Sequence, residues 1–165
     1  MSAIDAFPAD RWNDIIAINL TAAFHLTKAV WPHMRMQKRR RVINIASVHG
    51  LCASPFKSAY VAAKHGLIGL TKTAALQGAD LGITCNAICP GYVQSQLVQH
   101  QIAAQVAIHN IPEAQVVEKT LLAKHAIKEF IPASTIGDLC VFLASEAAAT
   151  ITGTALPVDA GWSAQ

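Results

Sequence analysis

At 165 residues, 53% of them apolar and 14% charged, the chain has the size and makeup of one folded domain with a buried core, and its composition argues against disorder. A net charge of +3 points to no nucleic-acid or membrane partner, and no apolar run reaches the roughly 18 residues of a membrane span. No charged and then apolar leader opens the sequence, and Cys52, Cys85, Cys89 and Cys140 lack Cys-x-x-Cys spacing, so reduced thiols in a soluble, cytoplasmic protein are expected.

Residues 8–36 set Trp12, Ile15, Ile16, Leu20, Ala23, Phe24, Val30 and Trp31 near helical spacing, with Pro8 suited to a first turn. One long helix is expected there, kinked at Pro32. The basic run Lys38-Arg39-Arg40-Arg41 reads as a solvated turn from helix to strand rather than a nucleic-acid contact. Val42–Ser47 reads as a buried strand, Ser58–Asp80 as a helix, Ile83–Cys89 as a second strand carrying both Cys85 and Cys89, and Ala155–Asp159 as a third. Such alternation argues a parallel sheet within a single domain over residues 1–165. Between 94 and 131 the pattern is loosely helical, through Leu97, Val98, Ile102, Val106, Leu121 and Leu122. That stretch follows the carboxyl end of a strand, where α/β sheets bind ligands, and is read as a lid.

The chemistry concentrates at Ser47, Tyr60 and Lys64. A spacing of four on a helix puts Tyr60 and Lys64 on one face, where an ammonium is expected to favour phenolate and lower the tyrosine pKa from about 10. A lone Tyr-x-x-x-Lys is weak evidence. Ser47 strengthens it, because the apolar run Val42–Ala46 delivers that hydroxyl to the end of a strand. Together the three make a device for moving a proton to or from a substrate oxygen.

These residues resemble the active site of the short-chain dehydrogenase/reductase family. Asn19 in Ile18-Asn19-Leu20 is similar to that family's fourth catalytic residue, Asn44-Ile45-Ala46-Ser47 to its serine strand, and Pro90-Gly91 to its loop beside the nicotinamide. Thr152-Gly153 followed by Val158-Asp159-Ala160-Gly161 resembles the last strand, so the likeness runs from about residue 7 to residue 162. It implies the carboxyl-terminal portion of a Rossmann-like, doubly wound parallel α/β sheet. It also implies an NAD-dependent oxidoreductase that needs no metal and commonly assembles as a homo-tetramer.

The resemblance further implies roles. Tyr60 is the general acid or base, Lys64 tunes it and bonds the nicotinamide ribose, Ser47 holds the substrate oxygen, and Asn19 positions a water linking Lys64 to solvent. Pro90, Gly91, Val93 and Ser95 would run beside the cofactor, Ser95 standing where the family usually has threonine. His49, Lys57 and Gln101 fall where the family's hydroxy-acid enzymes place carboxylate ligands. Taken singly, each is equally readable as a solvated loop, helix-end or lid residue. Trp162 either closes the pocket or anchors a subunit interface. The implied reaction interconverts (R)-3-hydroxybutyrate and acetoacetate; another short 3-oxo acid or ketone is the alternative substrate.

One family feature is missing. A dinucleotide site needs a glycine-rich turn to admit the pyrophosphate, yet the nine glycines never form Gly-x-x-x-Gly-x-Gly or Gly-x-Gly-x-x-Gly. The sheet is therefore expected to be incomplete at its amino-terminal side, with the edge of the Val42–Ala46 strand open. From this follow three expectations for the isolated chain: lowered stability, a tendency to self-pair, and weak nicotinamide binding. A catalytically inactive piece is the alternative to an enzyme.

Overall fold

The computed structural model describes residues 2–38 and 40–164; Arg39 of the basic run lies outside them. In chain order the elements are α1 (Ala9–Ile16), a π-helical turn (Ala17–Thr21), α2 (Ala22–Gln37), β1 (Arg40–Ile45) and α3 (Ser58–Gly78). There follow β2 (Ile83–Pro90), α4 (Gln96–His109), α5 (Glu113–Val116) with a second π-helical turn (Val117–Leu121), α6 (Ala133–Ala144) and β3 (Ala155–Val158).

β2 is the spine. Every one of its residues is buried, and it pairs in parallel with β1 on one side and β3 on the other. Successive side chains of a strand face opposite ways. Cys85, Ala87 and Cys89 accordingly meet α3 through Leu67, Ile68, Ala74 and Ala75, with Ala23 and Trp31 of α2 behind them. Ile88 turns the other way onto Leu143 of α6 and Ala148, joined by Ile43 of β1. Helices thus cover both faces of a three-stranded parallel sheet, the Rossmann-like layering in partial form. Asn44 Nδ2 donates to Thr71 Oγ1 at 2.9 Å and Asn86 Nδ2 to the Ile151 carbonyl at 2.7 Å, whereas Thr84 Oγ1 is buried without a hydrogen-bond partner among the described residues.

Three expectations need correction. β1 starts at Arg40 and ends at Ile45, because β2 offers ladder partners back to Ile83 and draws Arg40 and Arg41 out of the supposed turn. Ser47 therefore follows the strand instead of ending it. β1 is only partly buried, with Ile45 46% exposed, since among the described residues it has a strand on one side alone. The helical irregularity falls at 17–21, while Pro32 lies inside α2, which continues to Gln37. Its local cause is Asn19, whose side-chain amide donates to the Ile15 carbonyl at 3.0 Å and competes with the backbone for that acceptor. α6, unforeseen from the sequence, starts just after Pro132, whose fixed φ suits a helix start.

Candidate active site

The carboxyl ends of β1 and β2 open beside each other, and the chain leaving them forms the site. Past β1, Ser47 turns the backbone: its Oγ accepts from the His49 N–H at 3.1 Å and caps a short turn, Val48–Gly50, packed on α3. Past β2, Gly91–Val93 forms the facing wall. Gly91 has to be glycine, since a Cβ there would stand 2.9 Å from His125 Nε2 and 3.1 Å from the Asp159 Cα.

Between these walls lies a cleft of about 360 Å³. Ser47, His49, Lys57, Tyr60, Gly91, Val93, Ser95, Gln101 and Trp162 all line it. Asn19, Lys64 and Pro90 do not. Asn19 is turned back on its own helix, and Pro90 is held in the sheet opposite Val158. Ser95 Oγ accepts from the Val98 N–H at 3.4 Å, so it caps α4 as well as facing the cleft. α4 and the segment after it form a small core of their own, Val98, Ile102, Val116 and Leu121, which suspends Gln101 over the opening.

The electrostatics of Tyr60 differ from the sequence expectation. Lys64 is buried; its ammonium donates to the Ile45 carbonyl at 3.1 Å and lies 5.6 Å from the centre of the Tyr60 ring. Burial holds the Tyr60 phenol above its ordinary pKa, and the hydrogen bond with Ser47 only partly offsets this. The expected lowering by Lys64 is not found: burial of the phenol sets the direction, and the opposing influence comes from Ser47. Burial also lowers the pKa of Lys64 itself.

His49 and Lys57 form the cationic end. Lys57 Nζ is 3.0 Å from His49 Nε2. An ammonium can only donate, so Nε2 is the acceptor and the imidazole is neutral. Burial, reinforced by the Lys57 charge, pushes His49 down to about 4. Lys57 thus carries the charge, and His49 holds it in place. Trp162 closes this end, edge-on to His49 at 5.2 Å between ring centres and stacked on Tyr92 at 5.9 Å.

Two residues here escaped the sequence reading: Lys124, whose ammonium lies 5.5 Å from the Trp162 ring centre, and His125, whose ring packs on Trp162 and Tyr92. No local spacing marks either, since both reach the site through the turn that follows Val117–Leu121. Among the described residues no cluster of His, Cys, Asp or Glu stands ready to hold a metal ion, and no helix is long and apolar enough to cross a membrane.

A parallel sheet sandwiched by helices, with serine and tyrosine hydroxyls meeting at its carboxyl edge, is a Rossmann-like arrangement with polar groups where such sheets bind ligands. The family model described as enoyl-(acyl carrier protein) reductase matches residues 2–163, and the chain belongs to the short-chain dehydrogenase/reductase family. It is 49% identical over 98% of its length to the D-beta-hydroxybutyrate dehydrogenase of Rhizobium meliloti, covering 63% of that protein. It is 48% identical over its whole length to the protein of that name from Cupriavidus necator, covering 64%. A solved structure, 4-hydroxyisoleucine dehydrogenase complexed with NADH, superposes with a TM-score of 0.80 at 29% identity, over 99% of this chain and 64% of that one. The chain therefore spans a little under two thirds of the length of these relatives.

Proposed function

We propose that the chain carries the substrate-binding and proton-transfer part of an NAD-dependent oxidoreductase that interconverts (R)-3-hydroxybutyrate and acetoacetate. The observation that carries this is the convergence of Ser47, Tyr60 and the His49–Lys57 pair on one cleft. A short 3-oxo acid needs two recognitions a few ångströms apart, a donor pair for its ketone oxygen and a cation for its carboxylate, and the cleft offers both.

In ketone reduction the substrate oxygen accepts from the Ser47 and Tyr60 hydroxyls. Tyr60 gives up its proton as negative charge develops there. The raised pKa keeps the phenol protonated at neutral pH, poised as an acid. Lys57 pairs with the carboxylate, His49 fixes Lys57, and Gln101 reaches in from the lid. Lys64 braces the end of β1 through the Ile45 carbonyl and lies beneath the Tyr60 ring. In this reading Asn19 is the fourth member, acting from the π-helical turn through a water to Lys64.

The donor set fits the nicotinamide end of a dinucleotide. Gly91–Val93 lines the cleft opposite Ser47, with Ser95 adjoining, and glycine leaves the backbone open to close approach. When bound, the cofactor supplies or accepts the hydride. The NADH held by the 29%-identical neighbour supports NAD over NADP. A cytoplasmic homo-tetramer completes the proposal, with Phe24, Leu26 and Val30 exposed along α2 as apolar surface for assembly.

The test is acetoacetate-dependent oxidation of NADH, with Tyr60→Phe as control. A loss of about 10²- to 10⁴-fold in the variant is expected, with acetoacetate binding retained. Equal rates in both proteins, or preference for 2-hydroxybutyrate over 3-hydroxybutyrate, would overturn the reading. The missing glycine-rich turn favours one second reading, a substrate half inactive by itself. Acetoacetate binding without turnover would select it.

A further inference from the structure

His125 is 1% exposed, and both its ring nitrogens are engaged. Nε2 accepts from the Tyr92 N–H at 3.3 Å, and Nδ1 lies 3.2 Å from the Glu129 carbonyl. A carbonyl can only accept and an N–H can only donate, so the neutral tautomer with its hydrogen on Nδ1 satisfies both. One ring therefore ties the turn after Val117–Leu121 to the strand-end wall of the cleft.

The same ring touches the aromatic floor of the site. Its centre is 6.0 Å from that of Tyr92 and 5.8 Å from that of Trp162, and those two rings stack on each other. The next residue strengthens the clasp, for the Ala126 N–H donates to the Ala160 carbonyl at 2.7 Å, just before Trp162. Trp162 in turn lies against His49, the residue that holds Lys57. A chain of contacts thus runs from His125 through Trp162 to the cation.

We propose that His125 is a positioning residue that sets the orientation of Trp162 and of the Gly91–Val93 wall, and through them the carboxylate end of the pocket. It touches no reacting atom. Its Nε2 is the acceptor for the Tyr92 N–H, and that hydrogen bond, more than the ring contacts, fixes Tyr92 and the Trp162 ring stacked on it. The part concerning the carboxylate rests on the proposed function, whereas the setting of Trp162 does not.

Two variants separate the ring from its hydrogen bonds. His125→Phe keeps an aromatic ring and removes both bonds, while His125→Gln loses the ring and can restore one acceptor and one donor. The chain is labelled with 5-fluorotryptophan, and the Trp162 fluorine resonance is assigned with Trp162→Phe; Trp12 and Trp31 serve as internal reports of folding. In His125→Phe the Trp162 resonance is expected to move while the other two stay. Acetoacetate is expected to bind about tenfold more weakly, the equivalent of roughly one hydrogen bond. His125→Gln should bring the resonance back toward its wild-type position and recover most of the affinity. An unmoved Trp162 resonance in His125→Phe, or no recovery in His125→Gln, overturns the proposal. If His125→Phe fails to fold, His125→Gln decides alone: near-wild-type resonance and affinity support the proposal, and displacement overturns it. If the wild-type chain binds no acetoacetate but the resonances behave as stated, the substrate reading falls and the setting of Trp162 stands.

Discussion

His49 gives the site a pH signature that can be worked from the structure. Folded, it titrates near 4, held down first by burial and then by Lys57; unfolded, a histidine titrates near 6.5. Between those values the unfolded chain takes up a proton that the folded chain refuses, so stability is full above pH 6.5 and falls as pH drops toward 4. Moving from about pH 7.5 to about pH 5 should cost roughly 2 kcal/mol through this one group. With a urea dependence of about 2 kcal/mol per molar for a chain of this size, the unfolding midpoint should fall by about 1 M from His49 alone. Urea unfolding followed by circular dichroism at both pH values, on wild type and His49→Gln, isolates the effect as a difference of differences. Lys57→Met should fall between them, because removing the ammonium lets His49 titrate higher. Wild type and His49→Gln losing equal stability on acidification would refute the reasoning, since it would mean that His49 is not a buried neutral base.

Other expectations follow from the same walls. Ser47→Ala removes the hydrogen bond that partly offsets the burial of Tyr60, so the phenol should titrate at still higher pH; ultraviolet phenolate absorbance in a Tyr92→Phe background reads this directly, and an unchanged or lower titration would count against it. Gly50→Ala would put a Cβ 2.7 Å from Ile68 Cδ1 and 2.8 Å from the Lys64 carbonyl, and that carbonyl, being backbone, cannot rotate away. The turn bearing Ser47 and His49 should lift from α3 at a cost of about 1–3 kcal/mol, visible as a lower urea midpoint; wild-type stability would show the turn to be loosely held.

What could be read from the residues was local. The spacing of Ser47, Tyr60 and Lys64, the apolar run of β2 and the helical pattern of α3 depend on near neighbours in sequence, and each appears in the fold. Burial is not local. It reversed the expected direction for Tyr60 and neutralised His49, and neither could be seen before the chain closed around them. The π-helical turn shows the same limit: Pro32 was the obvious breaker, yet the competing donor is Asn19, bonding one turn back to Ile15. His125 is the plainest case. It lies 33 residues from Tyr92, and only the fold brings its ring against Trp162.

In the proposed function Ser47, Tyr60, His49 and Lys57 form one site for a short 3-oxo acid, and calorimetric titration of acetoacetate into wild type and Lys57→Met puts this to the test. Wild type should bind saturably, one to one, with affinity falling at least about tenfold when the half-buried Lys57 ammonium is lost. Absence of saturable binding by wild type, or equal affinity in Lys57→Met, would contradict it.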